Sequence, residues 1–559
     1  MNFKERESAT KLRGGYYTPL PIAQFLARWV LAAGPATVLE PGCGDGVFAE
    51  ALQSLHHPIQ FTGVELVEEE ASKARKRAKN SPVFKARILN ENFLGWAKRK
   101  IESGERYDAV VGNPPYVRYQ YLDENDQKLA GDIFLKYGLS FTKHTNAWIP
   151  FVVASIGMLS PRGRLAMAIP SEVLHILYAA SLREFLSVEC RRVLILDPNE
   201  LLFEGALQGT VLLMAQKKST RAEASEGVAV TSITANEFLV RDPEQYFERA
   251  SYASGDILDG KWTRLLLSSA EFAVFEEARR HPLIRRFGDL ASADAGILTA
   301  ADKFFVVDRA TVRKFGLSGF VRPVLGRIEH CPGVIYDKAL REKNEETGLP
   351  SYLVNFGKTA LGDLPQRARE YIALGEAQGL PGRYKCSVRN PWYSLPSVCA
   401  AKIVLAKRSH EFHRLILNSA DVCTTTTAYR IRTVSDEVTP ARLVFYFINS
   451  LTALSAELAG RHYGGGVLEL VPSEIDELLV PAPRLLDIDL KGFNTKMTSR
   501  ISAKELLRAQ DAIVLKSAGL AAREREVIHD AWDRLRARRH RRVGQALEEG
   551  QGKPGALCS

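Results

Sequence analysis

Between about residues 15 and 218, short apolar runs alternate with amphipathic stretches, and this rhythm restricts the fold more than any other feature of the chain. "TVLE" (37–40), "FTGVEL" (61–66), "AVVG" (109–112), "RLAMAIP" (164–170), "RVLILD" (192–197) and "GTVLLMAQK" (209–217) read as strands. Helical patterns such as "PIAQFLARWVLAAG" and "SLREFLSVECRR" separate most of them. Strands that alternate with helices build a mostly parallel, doubly wound sheet with helices on both faces. The polar stretch "KKSTRAEASEG" (217–227) reads as the start of a linker. Beyond it, residues 285–485 mix short strands with Gly/Pro turns, and 500–545 read as helices ending in "RLRARRHRRVGQ". A chain of 559 residues exceeds one ordinary core. The expected domains are therefore 1–225, α/β; 226–485, mixed α+β; and 486–559, a helical segment with a flexible basic tail.

Composition narrows the class. No apolar run reaches the ~20 residues that span a bilayer, and the N-terminal "MNFKERESATKLRGG" has no apolar h-region, so a cytoplasmic protein is expected. Seven cysteines without a CxxC pair exclude a zinc ribbon and argue against a disulfide framework. No metal-ligand cluster appears in the sequence. The net charge of +10 and pI near 9.1 suit a polyanionic partner without demanding one.

The strand tips carry the chemistry. "TVLE" runs into "PGCGDGVFAEAL", which places Gly42, Gly44 and Gly46 in the turn before a helix, where backbone can approach a ligand closely. The spacing is G-x-G-x-G, not the dinucleotide G-x-G-x-x-G, and no Lys-Ser/Thr follows as in a phosphate-binding P-loop. "FTGVEL" ends near Glu65, a strand-tip carboxylate suited to both hydroxyls of a ribose. A ligand with an adenosine but no phosphate fits best, and S-adenosylmethionine is such a ligand. The third tip is "GNPPY" (112–116). Proline fixes φ, lacks an N–H and forces the preceding residue into extended geometry, so Asn113, Pro114, Pro115 and Tyr116 form a stiff loop.

"YYTP" (16–19), "VLEPGCGDG" (38–46), "GVEL" (63–66), "NFLGW" (92–96) and "GNPPY", in that order, resemble the successive motifs of the gamma-class adenine-N6 DNA methyltransferases of restriction-modification systems, the TaqI type. "DAGILTAADKFFVVD" (294–308), "AKIVLAKRSHEF" (401–412) and the stretch 447–481 are similar to that group's target recognition domains. The resemblance implies a Rossmann-like S-adenosylmethionine-dependent methyltransferase domain, then a target recognition domain and C-terminal helices. It implies that Thr18 and Glu40 lie by the methionine end of the cofactor, Glu65 on the ribose, and Leu66 against the adenine. Asn92 stands where the family carries an aspartate that accepts from the adenine's amine, and its carbonyl oxygen can still accept. Phe93 follows as in the family, and Phe151 aligns with a residue covering the other face of the ring. Asn113 and the Pro114 carbonyl would hold the two hydrogens of the target amine. Tyr116 and Phe203 would stack on a flipped-out base.

The implied partner is double-stranded DNA with a specific adenine-containing site, alongside a separately encoded restriction endonuclease. Arg285, Arg286, Lys303, Arg322, Arg327, Lys402, Lys407, Arg408 and Arg461 are candidates for phosphate or guanine contacts. "RHYGGG" (461–466) allows close backbone approach, and "RLRARRHRR" (534–542) reads as a backbone-embracing or solvated helix face. The Asn-Pro-Pro-Tyr loop also serves methylation of RNA and of protein glutamine. A bifunctional restriction enzyme and a non-catalytic DNA-binding specificity subunit are further alternatives.

Overall fold

A computed structural model of the chain describes residues 18–199, 209–234, 241–396, 398–484 and 486–551. Two compact units emerge. The first takes in the chain up to Ser268 together with His462–Gly466 and the chain from Arg538 onward; the second comprises Ser269–Arg461 and Val467–Ala537.

The first unit is built on one eight-stranded sheet: β1 (Thr37–Pro41), β2 (Ile59–Glu65), β3 (Phe84–Asn90), β4 (Tyr107–Gly112), β5 (Leu159–Pro170), β6 (Cys190–Pro198), β7 (Thr210–Lys217) and β8 (Gly227–Ile233). Their spatial order is β3-β2-β1-β4-β5-β7-β6-β8. All neighbours run parallel except β7, which is antiparallel to both β5 and β6. The strand order reverses between β1 and β4, and in open α/β sheets the crevice at such a reversal is where ligands bind. Asp108 fixes that junction by accepting from the backbone N–H of Ala36 and Thr37 at 3.0 and 3.1 Å and from the Thr37 hydroxyl at 3.0 Å.

Helix Leu20–Leu31 covers one face of the sheet. Pro21 is tolerated in its first turn, and Phe25, Leu26, Trp29 and Val30 bury into a core shared with Phe48, Phe61 and Phe84. On the other face, helix Trp148–Met158 is buried along its whole length. An all-round apolar helix requires such cover.

The expected boundary at residue 225 falls inside this unit. β8 pairs with β6 from Arg192↔Gly227 to Pro198↔Ile233, so the polar stretch after β7 is a solvent-facing connection between two strands of one sheet. Further on, Arg164 of β5 is buried and grips Glu244 with two hydrogen bonds of 2.7 and 2.8 Å, which ties helix Pro243–Arg249 to the same unit.

In the second unit a five-stranded sheet orders Ala291–Ala295, Ala428–Thr433, Ile403–Ala406, Leu415–Asn418 and Ile335–Tyr336. A four-stranded sheet contains Val306–Val307, Tyr352–Val354, Val321–Leu325 and Cys423–Thr424, over a core that includes Phe304, Phe305, Tyr371 and Tyr393. The helices Pro440–Phe447, Ser450–Ala459 and Ala503–Asp511 complete it. This is the mixed α+β composition expected of the second half. Helix Ala522–Gln551 follows. Among the described residues, no helix is long and apolar enough to cross a membrane.

Candidate active site

The tips of β1, β2 and β4 converge. After Glu40 and Pro41 the chain turns through Gly42, Gly44 and Gly46, all at positive φ, into helix Val47–Ser54. At Gly46 a Cβ would lie 2.8 Å from the Ala74 Cα, so any side chain there would push the loop off helix Glu68–Arg77. A Cβ at Gly42 would lie 3.6 Å from the Phe151 ring and 3.7 Å from Pro115 Cδ. The glycine turn therefore touches both the buried helix and the Asn-Pro-Pro-Tyr loop.

Glu65 locks the turn to β2. One carboxylate oxygen accepts from Gly44 N and the other from Val67 N, each at 2.9 Å. The next residue, Leu66, is 61% exposed. An isolated exposed leucine is ordinary on a surface, but here it stands at a strand tip facing no core.

Glu40 is the electrostatic centre of the site. It is 2% exposed, and its Oε2 is buried with no hydrogen-bond partner among the described residues. Burial pushes its carboxyl well above the usual carboxylate range, and the negative charges of Asp45 and Glu65 push the same way. An orphaned buried carboxylate oxygen beside a positive-φ turn suits a cationic group.

Asn92 caps helix Phe93–Ser103, and its Oδ1 accepts from Leu94 N at 2.9 Å and Gly95 N at 3.3 Å. The oxygen expected to accept from a ligand amine thus takes two backbone N–H groups, which commits both of its lone pairs. Phe93 is buried, with its ring centroid 4.7 Å from that of Phe151.

β4 ends at Gly112, whose missing Cβ would lie 3.5 Å from Pro41 and 3.7 Å from Glu40 Cγ. The stiff loop thus leaves the sheet beside the glycine turn. Asn113 is half-buried, Pro114 is buried, and the Tyr116 hydroxyl donates to the Ala168 carbonyl of β5 at 3.1 Å. Thr18 is buried just ahead of helix Leu20–Leu31 and makes none of these hydrogen bonds among the described residues. Phe203 lies outside the described residues. No group of three or more His, Cys, Asp or Glu able to hold a metal ion occurs among those described.

Most of the basic residues expected to meet DNA are engaged within the second unit. Arg285 pairs with Glu437, Arg286 with Glu477, Lys402 with Asp421, Lys407 and Arg408 with Glu469, and Arg461 with Glu474. Lys303, Arg322 and Arg327 are exposed and have no ion pair among the described residues. Within the C-terminal basic run Arg534 is exposed, whereas two of its neighbours are not. Arg538 and Arg539 are buried in the first unit, one paired with the fully buried Asp197 and the other donating to the Gly466 carbonyl.

Comparison with known proteins places the chain. A family model described as the Eco57I restriction-modification methylase matches residues 52–201, and one described as the C-terminal domain of type II methyltransferase M.Eco57I matches 259–515. The type II methyltransferase M.AccI of Acinetobacter calcoaceticus is 23% identical over 84% of this chain and 86% of its own length. M.XamI of Xanthomonas campestris pv. amaranthicola is 22% identical over 84% and 85%. The solved type IIG restriction endonuclease BpuSI is similar over 96% of this chain and 67% of that one, with 14% identity and a TM-score of 0.43. With the methylase model lying within the first unit and the C-terminal model centred on the second, the chain belongs to the Eco57I-type restriction-modification methyltransferases.

Proposed function

We propose that this methyltransferase transfers a methyl group from S-adenosylmethionine to N6 of an adenine swung out of duplex DNA, as the modification partner of a separately encoded endonuclease. The observation that supports the reading is the departure of the Asn113–Tyr116 loop from β4 against Pro41 and Glu40, which brings the loop bearing both candidate acceptors beside the glycine turn.

The residues fit that cofactor. Glu40 Oε2 offers an unpartnered oxygen to its ammonium, Glu65 lies at the ribose, Leu66 presents an apolar surface to the adenine, and the Phe93–Phe151 pair closes the pocket. Bound there, S-adenosylmethionine supplies an electrophilic methyl on a sulfonium. The amine of adenine is a poor nucleophile because its lone pair is conjugated with the ring. Asn113 Oδ1 and the Pro114 carbonyl accept its two hydrogens, which favours a tetrahedral nitrogen with its lone pair aimed at the methyl carbon. Such a transfer would exchange the methyl's bond to sulfur for one to nitrogen and leave S-adenosylhomocysteine, while Asn113 and Pro114 would hold the amine hydrogens until one is released to solvent. Tyr116 and Phe203 stack on the extruded base, since a base inside the duplex cannot reach this pocket. The second unit reads the sequence, with Lys303, Arg322 and Arg327 as its free cations among the residues first singled out.

Single-molecule sequencing of DNA from cells expressing the chain tests this. N6-methyladenine at one recurrent motif, absent with Asn113→Ala, is expected. Methylated cytosine, or DNA left unmodified while RNA or protein is labelled, overturns it.

Glu40 adds a pH signature. The free protein holds its proton above the usual carboxylate range, whereas an adjacent ammonium favours the ionised form, so binding releases a proton. Affinity for S-adenosylhomocysteine, which carries the same ammonium, therefore falls as pH drops through the Glu40 pKa, by up to about tenfold per pH unit. Calorimetry in buffers of different ionisation enthalpy measures the release. Glu40→Gln should abolish it, and buffer-independent heats for the unaltered protein would sink the assignment.

A further inference from the structure

The side chain of Asn92 has one function left after capping its helix. Its Oδ1 is committed to Leu94 N and Gly95 N, which turns the Nδ2 group, a pure donor, outward to Asp126 Oδ1 at 2.5 Å. Asp126 lies in the first turn of helix Glu124–Lys136, where Asp123 takes its backbone N–H at 2.7 Å. The carboxylate is half-buried, and its second oxygen has no partner among the described residues.

Its surroundings connect it to the pocket. Asn92 adjoins Phe93, Phe93 packs on Phe151, and Phe151 faces Gly42 of the glycine turn. A carboxylate anchored through one oxygen and open at the other is what an exocyclic amine requires, because the amine can only donate where the Asn92 amide can no longer accept. We propose that Asp126, oriented by Asn92, accepts the hydrogen bond from the exocyclic amine of the cofactor's adenine. This rests on the S-adenosylmethionine reading above. It assigns the acceptor to a residue 34 positions away from the one expected, with Asn92 as a positioning residue. Burial, with the nearby charge of Asp123, raises the proton affinity of Asp126, and an amine donor would offset both.

A purely structural tie between the two helix starts predicts something different, so the test compares ligands rather than activities. The full chain is titrated calorimetrically with S-adenosylhomocysteine, with its analogue bearing hydrogen in place of the amine, and with its 6-oxo analogue. The unaltered protein should favour the amine over the hydrogen analogue by roughly ten- to a hundredfold, the range of one hydrogen bond to a charged group. Asp126→Ala should erase that preference, weakening S-adenosylhomocysteine by the same factor while leaving the hydrogen analogue within about twofold. Asp126→Asn is nearly isosteric and can keep its contact with Asn92 through its carbonyl. It presents a donor instead of an acceptor, so relative preference should move toward the 6-oxo analogue. Equal losses for all three ligands, or an unchanged preference, would show that Asp126 only ties helices together. If the unaltered protein binds none of the three, the cofactor reading fails and this one with it. If it binds S-adenosylhomocysteine without preferring the amine, this inference alone fails.

Discussion

Asn113→Ala should bind S-adenosylhomocysteine within about twofold of the unaltered protein and lose methyl transfer by ~10²–10³ or more, the scale seen when one preorganised hydrogen-bonding partner of a transition state is removed. The reasoning is differential. In the proposed mechanism, what Asn113 accepts develops only as the amine becomes tetrahedral, so its loss would act on the chemical step rather than on the ground state. The Pro114 carbonyl stays, held by the ring geometry that follows it, and single-turnover incorporation of labelled methyl isolates the step. An unchanged unfolding midpoint would exclude a collapsed loop as the cause. Near-normal single-turnover rates would remove Asn113 from the chemistry.

Asp197→Ala should lower stability by about 3–5 kcal/mol, the cost of leaving one partner of a buried ion pair without the other. Asp197, next to last in β6, is 0% exposed, and Arg538, at 9%, has its guanidinium against it. Arg538→Ala should cost a similar amount for the mirror-image reason. Replacing both, as Asp197→Leu with Arg538→Met, should recover most of the loss, because no uncompensated charge remains. Urea midpoints of the three variants measure this. A double variant as unstable as the sum of the singles would mean that the pair is not coupled.

The strand tips that build the candidate site were legible because their signals are local. Three strand tips carry glycines, a carboxylate and a rigid Pro-Pro turn within a few residues of each strand, and burial patterns announce the strands. β3 was missed because "FKARILN" lies at the sheet edge with charged residues turned to solvent, so it shows no apolar run. β8 was missed because the polar connection before it has the composition of a linker, and composition does not say where a chain goes next. The Asn92–Asp126 contact and the Asp197–Arg538 pair span 34 and 341 positions, and nothing nearby in sequence marks either. Charge density alone does not tell the two fates apart at the C-terminus: a run of arginines looks alike whether it faces solvent or, as at Arg538 and Arg539, is buried.

The first unit gathers three separate stretches of chain, and this constrains how such a protein can change its target over generations. A recombination that replaced everything after Ser268 with a foreign half would also remove Arg538 from the first unit and leave the buried Asp197 carboxylate without that guanidinium. The same deficit awaits a fragment ending near residue 220. Viable exchange must then proceed by cassettes set between the retained stretches, or by paired substitution at positions 197 and 538. Descendants that acquire new recognition sequences should accordingly show these two positions changing together or not at all.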